Sequence, residues 1–149
     1  MPTAASETDR ALSGDLLDVI PPIIRVVRAA MRDLKTSRLT VPQFRVLGFV
    51  SLQPCTSKQL AEWHGVSVPA MSRMVSYLVR RKLLVRRPDA ADRRQVQLRL
   101  SAQGEAVFRQ LRTAIEARIA RHVAALARSD KRALATGLAA LQELFREGA

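Results

Sequence analysis

The stretch Thr56–Leu84, TSKQLAEWHGVSVPAMSRMVSYLVRRKLL, decides how this chain folds. Thr56 followed three residues later by Gln59 is a capping box. Each side chain accepts the other residue's backbone N–H, so a helix should start here. It should run to about His64, where Gly65 permits a left-handed turn. Ser67 is the expected N-cap of a second helix, with Pro69 tolerated in its first turn. Along that helix Met71, Met74, Val75 and Leu78 recur at helical spacing and should face inward. Pro69, Ala70, Ser72, Arg73, Ser76, Tyr77 and Arg80 lie mostly outside that stripe.

The spacing across the turn is specific. With Ser57 as the first position, Ala61 is fifth and Gly65 ninth. A small residue at the fifth place lets two helices approach, and glycine at the ninth turns the chain without strain. Leu60, Val66, Met71 and Met74 stand where the helices must pack; His64 stands where an apolar residue is usual. After Leu83 the period falls to two. In QVQLRL, Val96, Leu98 and Leu100 alternate with Gln95, Gln97 and Arg99, which reads as a half-buried strand. LLVRR before it supplies the partner strand, and Pro88 to Arg94 the loop between them. Two helices and a short glycine turn followed by a β-hairpin describe a winged helix-turn-helix, whose second helix can enter a major groove.

Outward from this unit the pattern is helical. Leu16–Leu34 is apolar-rich, and Pro21-Pro22 should either start its helix or kink it. A helix after Pro42 should bury Phe44, Val46, Leu47, Val50 and Leu52, ending at Pro54. Ser101 should cap a long helix through Val107, Phe108, Leu111, Ile115, Ile119, Val123 and Leu126. Ser129 or Asp130 should start a last helix carrying Leu134, Leu138, Leu141 and Phe145. The expected class is mainly α with a small β-hairpin wing. Residues 1–14 are expected to form a flexible tail, 15–36 and 102–146 the flanking helices, and 39–101 the winged helix-turn-helix.

The charge points the same way. The 149 residues carry a formal net charge of +12. Between Arg73 and Arg99 stand nine basic residues against Asp89 and Asp92, a net +7 of that total. Such clustering favours a polyanionic partner, nucleic acid before an anionic membrane. Double-stranded DNA is therefore the expected partner, and no membrane is. A single cysteine, Cys55, excludes an intramolecular disulfide and fits a reducing compartment. The start lacks the apolar core of a signal peptide, and no apolar run is long enough to span a bilayer. A cytoplasmic protein is expected.

LTVPQFRVL (Leu39–Leu47), TSKQLAEWHGVSVPAMSRMVSYLVRRKLL and RRPDAADRRQVQLRLSAQG (Arg86–Gly104) together resemble the MarR family of bacterial winged helix-turn-helix transcription regulators. The resemblance implies a homodimer built from the first and last helices. It implies that the helix Val68–Arg81 enters the major groove of a pseudo-palindromic operator, with the wing along the minor groove. It places Ser67, Pro69, Ala70, Ser72, Arg73, Ser76 and Arg80 on the recognition helix against DNA. It places Arg86, Arg87, Asp92, Arg93 and Arg94 on the wing, where Asp92 and Arg94 match an Asp-x-Arg element. In that element the arginine reaches the minor groove and the aspartate holds it. Lys82 stands where the family usually has glycine, which suits a left-handed helix end.

Other chemistry has less support. Cys55 with Lys58 nearby raises a redox-responsive repressor as an alternative, although relatives with reactive cysteines carry them in the first helix. His64 and His122 are far apart and make no zinc pattern with one cysteine, so no metal and no cofactor are expected. Nothing resembles a catalytic triad or a phosphate loop, so no enzyme is expected. Trp63 should pack in the core or line a ligand cavity. Arg25, Arg28 and Arg32 are either solvated or ready to meet an anionic aromatic effector. The resulting expectation is a dimeric repressor relieved by a small ligand. The alternative of another class is an architectural nucleoid protein that uses the same charge without sequence preference.

Overall fold

The structure, a computed structural model, describes residues 5–34, 38–89 and 95–147. Its elements are α1 (Glu7–Asp33), α2 (Val41–Leu52), α3 (Ser57–His64), α4 (Val68–Arg80), β1 (Leu84–Pro88), β2 (Val96–Leu100), α5 (Ala102–Ala124) and α6 (Arg128–Glu147). The fold is mainly helical with one two-stranded antiparallel hairpin, as the sequence predicts.

Local capping sets where the helices begin. Thr56 and Gln59 form the expected capping box of α3, and Thr40 with Gln43 forms a second at α2. Ser67 and Ser101 accept from the N–H groups of Ala70 and Gly104 at 3.4 and 2.9 Å. A third capping box corrects the reading of the N-terminus. Ser6 Oγ accepts from the Asp9 N–H at 3.1 Å, and the Asp9 carboxylate accepts from the Ser6 N–H at 2.8 Å. The Ser6 N–H and the Ser6 hydroxyl, both donating to that carboxylate, hold it below its usual range. The helix therefore starts at Glu7 instead of after a tail of 14 residues. Neither Pro21 nor Pro22 starts it; both lie inside α1. The carbonyls of Leu17 and Asp18, which lose their helical donors to the prolines, belong to exposed residues that water can serve.

The core joins α2, α3, α4, the hairpin and α5. Leu47, Leu60, Met71, Leu78, Leu83, Leu84, Leu98 and Leu111 are fully buried in it. Three expected core residues are not. Leu52 is 79% exposed at the end of α2, and Val96 is 51% exposed opposite Pro88 at the far end of the hairpin, beyond the helices. Val66 is 44% exposed; its backbone serves the turn, donating to the Ala61 carbonyl at 3.0 Å. The hairpin pairs Leu84 with Leu100 through to Pro88 with Val96. Pro88 thus belongs to β1 instead of the loop. Cys55 bridges to Leu98 in both directions, its N–H donating at 3.4 Å and its carbonyl accepting at 2.8 Å.

α1 packs along α5, and Arg118 of α5 pairs with Asp33 at the end of α1. α6 leaves this body. Leu134, Leu138, Leu144 and Phe145 are exposed on it, and Leu12, Leu17, Val19, Ile20 and Ile23 are exposed on α1. Among the described residues no helix is long and apolar enough to cross a membrane, and no His, Cys, Asp and Glu cluster could hold a metal ion.

Candidate nucleic-acid interface

Gly65 makes the turn between α3 and α4 with φ of 64°. α4 then buries Met71, Val75 and Leu78. At 100° per residue, Pro69, Arg73, Ser76 and Arg80 form a stripe on the opposite side. Pro69, Arg73 and Arg80 are exposed and Ser76 is half-buried. Ser67 stands exposed at the N-cap, with Ala70 and Ser72 half-buried along the flanks. The sequence-predicted residues of this helix thus share one side of one element.

The hairpin extends that surface. Arg86 Nη2 donates to Ser76 Oγ at 3.0 Å and ties β1 to α4. Arg86 lies on the same strand face as buried Leu84, two residues earlier, which is why it reaches the helix; Arg87 is exposed on the other face. Asp89 stabilises the neck of the wing. Its N–H donates to the Gln95 carbonyl at 2.9 Å, and its carboxylate accepts from the Gln97 side-chain amide. Asp92, Arg93 and Arg94 lie outside the described residues. Arg81, beside the stripe, donates to the Tyr77 hydroxyl at 3.0 Å, with its guanidinium 5.8 Å from the ring centre.

The exit of α4 was flagged in the sequence by Lys82. Its φ is +58°, the left-handed region. The Lys82 N–H donates to the Val79 carbonyl at 2.9 Å and the Leu83 N–H to the Leu78 carbonyl at 3.0 Å. This is the Schellman pattern, which favours glycine at the left-handed position. A non-glycine residue there costs about 1–2 kcal/mol. Lys82→Gly is expected to raise the melting temperature by about 2–4 °C, since roughly 1 kcal/mol is worth that much in a chain of this size. It should also weaken binding to any DNA by removing one cation, so thermal unfolding and a salt-dependent binding assay move in opposite senses.

Sequence reasoning missed Gly104. Ser101 Oγ donates to the Lys82 carbonyl and accepts from the Gly104 N–H, while the Ser101 N–H donates to the Leu83 carbonyl at 3.1 Å. The start of α5 is stapled to the exit of α4. At Gly104 a Cβ would lie 2.0 Å from the Leu83 carbonyl oxygen. The available signal was a glycine in the first turn of a helix, three residues after its cap.

The residues expected to meet an effector are dispersed within the chain. Arg25 and Arg28 line a groove of about 370 Å³ on α1. Arg28 and Arg32 also wall a larger groove, about 570 Å³, that reaches Arg38 and the start of α2. Trp63 lines a different cleft of about 370 Å³ between α2 and α5, which neither Arg25 nor Arg28 borders. Trp63 is 42% exposed. Its ring lies 4.7 Å from Phe49 and 4.6 Å from His64, with the Arg45 guanidinium 5.3 Å from its centre.

His64 explains its own presence at an apolar position. Nδ1 bonds to the Leu60 carbonyl at 2.9 Å, so it carries the proton, and Nε2 is buried with no hydrogen-bond partner among the described residues. Burial lowers its pKa from 6.5. The depressed pKa means that the stability tied to neutral His64 is present above the unfolded value and lost as pH falls through the folded one. The melting temperature should therefore drop between about pH 7 and about pH 5, and His64→Leu should make that drop smaller. Cys55 is buried, and burial pushes its thiol up to about 11. A protonated, enclosed thiol lacks the thiolate that peroxide attacks.

Comparison with known proteins matches this geometry. The MarR family model matches residues 39–95. No curated protein sequence matches the chain. Among solved structures, Rv1404 of Mycobacterium tuberculosis is 29% identical with a TM-score of 0.81, covering 94% of this chain and 95% of its own. The MarR family protein Rv2887 of Mycobacterium tuberculosis, in complex with p-aminosalicylic acid, is 27% identical with a TM-score of 0.67, over 87% of this chain and 97% of its own. FabT of Streptococcus pneumoniae, in complex with DNA, shares the fold at 15% identity, with a TM-score of 0.75 over 94% of this chain and 99% of its own. With its helix-turn-helix and β1 inside the matched segment and its whole fold shared with these structures, the chain is similar to the MarR-family transcription regulators.

Proposed function

We propose that the chain acts in the cytoplasm as a dimeric, sequence-specific repressor whose hold on an operator is relieved by a small anionic aromatic ligand. The observation that carries the DNA reading is the stripe Pro69, Arg73, Ser76 and Arg80, set opposite a fully buried stripe and joined to a basic hairpin. Ser67, Ala70 and Ser72 flank this stripe and Arg86 and Arg87 continue it along β1, while Asp92, Arg93 and Arg94, outside the described residues, are assigned to DNA from their sequence. Residues 39–101 are the DNA-binding unit in this reading. Residues 15–36 and 102–146 are the dimerisation helices. The apolar faces that α1 and α6 leave uncovered within the chain support that assignment. A two-fold dimer requires a pseudo-palindromic site. The ligand reading draws support from Rv2887 in complex with p-aminosalicylic acid, and from the arginine-walled grooves at Arg25 and Arg28 and the cleft at Trp63.

Competition between a candidate promoter palindrome and random DNA at about physiological salt tests this. A repressor prefers its site by about 10³ or more. A ratio near unity would leave the architectural reading, in which the same charge binds without reading sequence.

The wing tip gives a prediction with a sign. Asp92 stands two residues before Arg94 and is read as holding it toward a minor groove, which attracts such an arginine. Asp92→Ala should then weaken operator binding, and Arg94→Ala should weaken it more. Tighter binding by Asp92→Ala would mean that the carboxylate only repels phosphate.

A further inference from the structure

Two arginines meet hydroxyl groups on α4. Arg86 Nη2, from β1, donates to Ser76 Oγ, and Arg81 Nη1, from the end of α4, donates to the Tyr77 hydroxyl, each at 3.0 Å. Arg73 precedes Ser76 by three residues and Tyr77 by four. At 3.6 residues per turn, Ser76 therefore lies about 60° to one side of Arg73 and Tyr77 about 40° to the other. Arg80 follows Ser76 by four residues and Tyr77 by three, so it too falls between them. The exposed Arg73 and Arg80 thus run down the middle of a strip, with an arginine–hydroxyl pair along each edge.

The direction of these bonds fixes what the hydroxyls can still do. A guanidinium only donates, so each hydroxyl oxygen must accept, and its own proton is left for another acceptor. Other helical hydroxyls bond back to their own helix: Ser13, Ser51 and Thr136 donate to the carbonyls of Asp9, Gly48 and Arg132. Among the described residues the hydroxyls of Ser76 and Tyr77 donate to no protein acceptor. Each keeps its proton for a partner outside the chain, and the arginine beside it makes it a stronger donor. Donors without acceptors suit phosphate, whose oxygens only accept, whereas base edges offer donors as well. The dimensions agree. A helix with its side chains is about 10–12 Å across and the major groove about 12 Å wide, so the flanks of a seated helix meet the two backbones that wall the groove.

We propose that the two pairs are phosphate grips on opposite DNA strands. Ser76 donates to a phosphate on one wall of the groove and Tyr77 to a phosphate on the other, while Arg86 and Arg81 are positioning residues that orient the hydroxyls. The proposal rests on the DNA reading above and adds Tyr77 and Arg81 to it. Anchored on either side of Arg73, α4 cannot roll in the groove, so the side chain that reads bases is held in register with them. Because Arg86 belongs to β1, the wing is coupled to one strand through the same bond. A hydroxyl carries no charge, so this part of the grip adds affinity without adding salt dependence.

A cycle between protein and DNA tests this. The full-length protein first selects a duplex from random sequence, and single phosphates of that duplex are then replaced, one at a time, by uncharged methylphosphonates. Ser76→Ala and Tyr77→Phe each delete one hydroxyl and keep every arginine. Each should bind the unmodified duplex about tenfold more weakly, with the salt slope unchanged. Most of each loss should vanish at one methylphosphonate position, and the two positions should lie on opposite strands. Losses that persist at every position would overturn the grips, because a merely loosened fold is indifferent to which phosphate is changed. So would two positions on one strand, or variants that bind as the parent does. If selection returns no preferred sequence, the sequence-specific reading fails. The same variants on one fixed duplex then decide the grips alone: a tenfold loss at unchanged salt slope upholds them, and unaltered binding overturns them.

Discussion

Gly104→Ala is expected to cost the fold about 2–4 kcal/mol, at the upper end of what overpacking a well-filled site does. The added Cβ would lie 2.0 Å from the Leu83 carbonyl oxygen and 2.9 Å from its carbon. Backbone cannot swing aside as a side-chain tip can, so α5 must back away from the exit of α4. That movement strains the bonds that Ser101 makes to Lys82 and Leu83. The melting temperature should fall by about 5–15 °C. Any folded fraction should bind operator poorly, because the wing and α4 both hang from this junction. Ser101→Ala separates the two effects. It removes the hydroxyl staple and the cap of α5 without adding bulk, at about 1 kcal/mol. If Gly104→Ala melts no lower than Ser101→Ala, the close approach to Leu83 is not a real constraint on the fold.

The second large effect concerns what α4 reads. Arg73 is exposed at the centre of its stripe, between Pro69 and Ser76. In the proposed docking it faces base edges, where a bidentate arginine is worth about 1–3 kcal/mol of discrimination. Arg73→Ala should weaken operator binding by about 5- to 150-fold and affect random DNA less. Arg87, exposed on the outer face of β1, suits a phosphate. Arg87→Ala should weaken operator and random DNA alike and reduce the salt slope by about one. Equal losses on both DNAs for Arg73→Ala would place that residue on the backbone and move sequence reading elsewhere on the surface.

The helix-turn-helix was legible because its signals are local. Thr56 and Gln59, Gly65, and Ser67 each act within four residues, and each does in the structure what its spacing predicts. Lys82 was legible for the same reason, since a helix end demands one left-handed residue. The start of α1 was local too, but its capping box uses Asp9 where the commoner partner is Glu or Gln, and small polar residues around it read as a tail. Leu52, Val66 and Val96 show a different limit. Periodicity identifies the apolar side of an element but not how far its neighbours extend along it, and all three lie beyond that cover. Gly104 was hidden because the atom it must avoid belongs to Leu83, in the connection between α4 and β1. Arg86 and Ser76 were both assigned to DNA; their bond to each other depends on how the hairpin folds back onto α4.

The bridge between Cys55 and Leu98 gives the molecule a built-in clock. The one thiol of the chain is buried, on a residue whose backbone pairs with β2 of the wing just ahead of the helix-turn-helix. It meets an alkylating reagent only when that sheet opens. With reagent in modest excess, the labelling rate follows the population of the open lobe; with a large excess it follows the opening rate itself. Mass spectrometry of a single added label thus measures the local stability of the DNA-binding lobe apart from that of α1 and α6, in the native buffer and without an engineered probe.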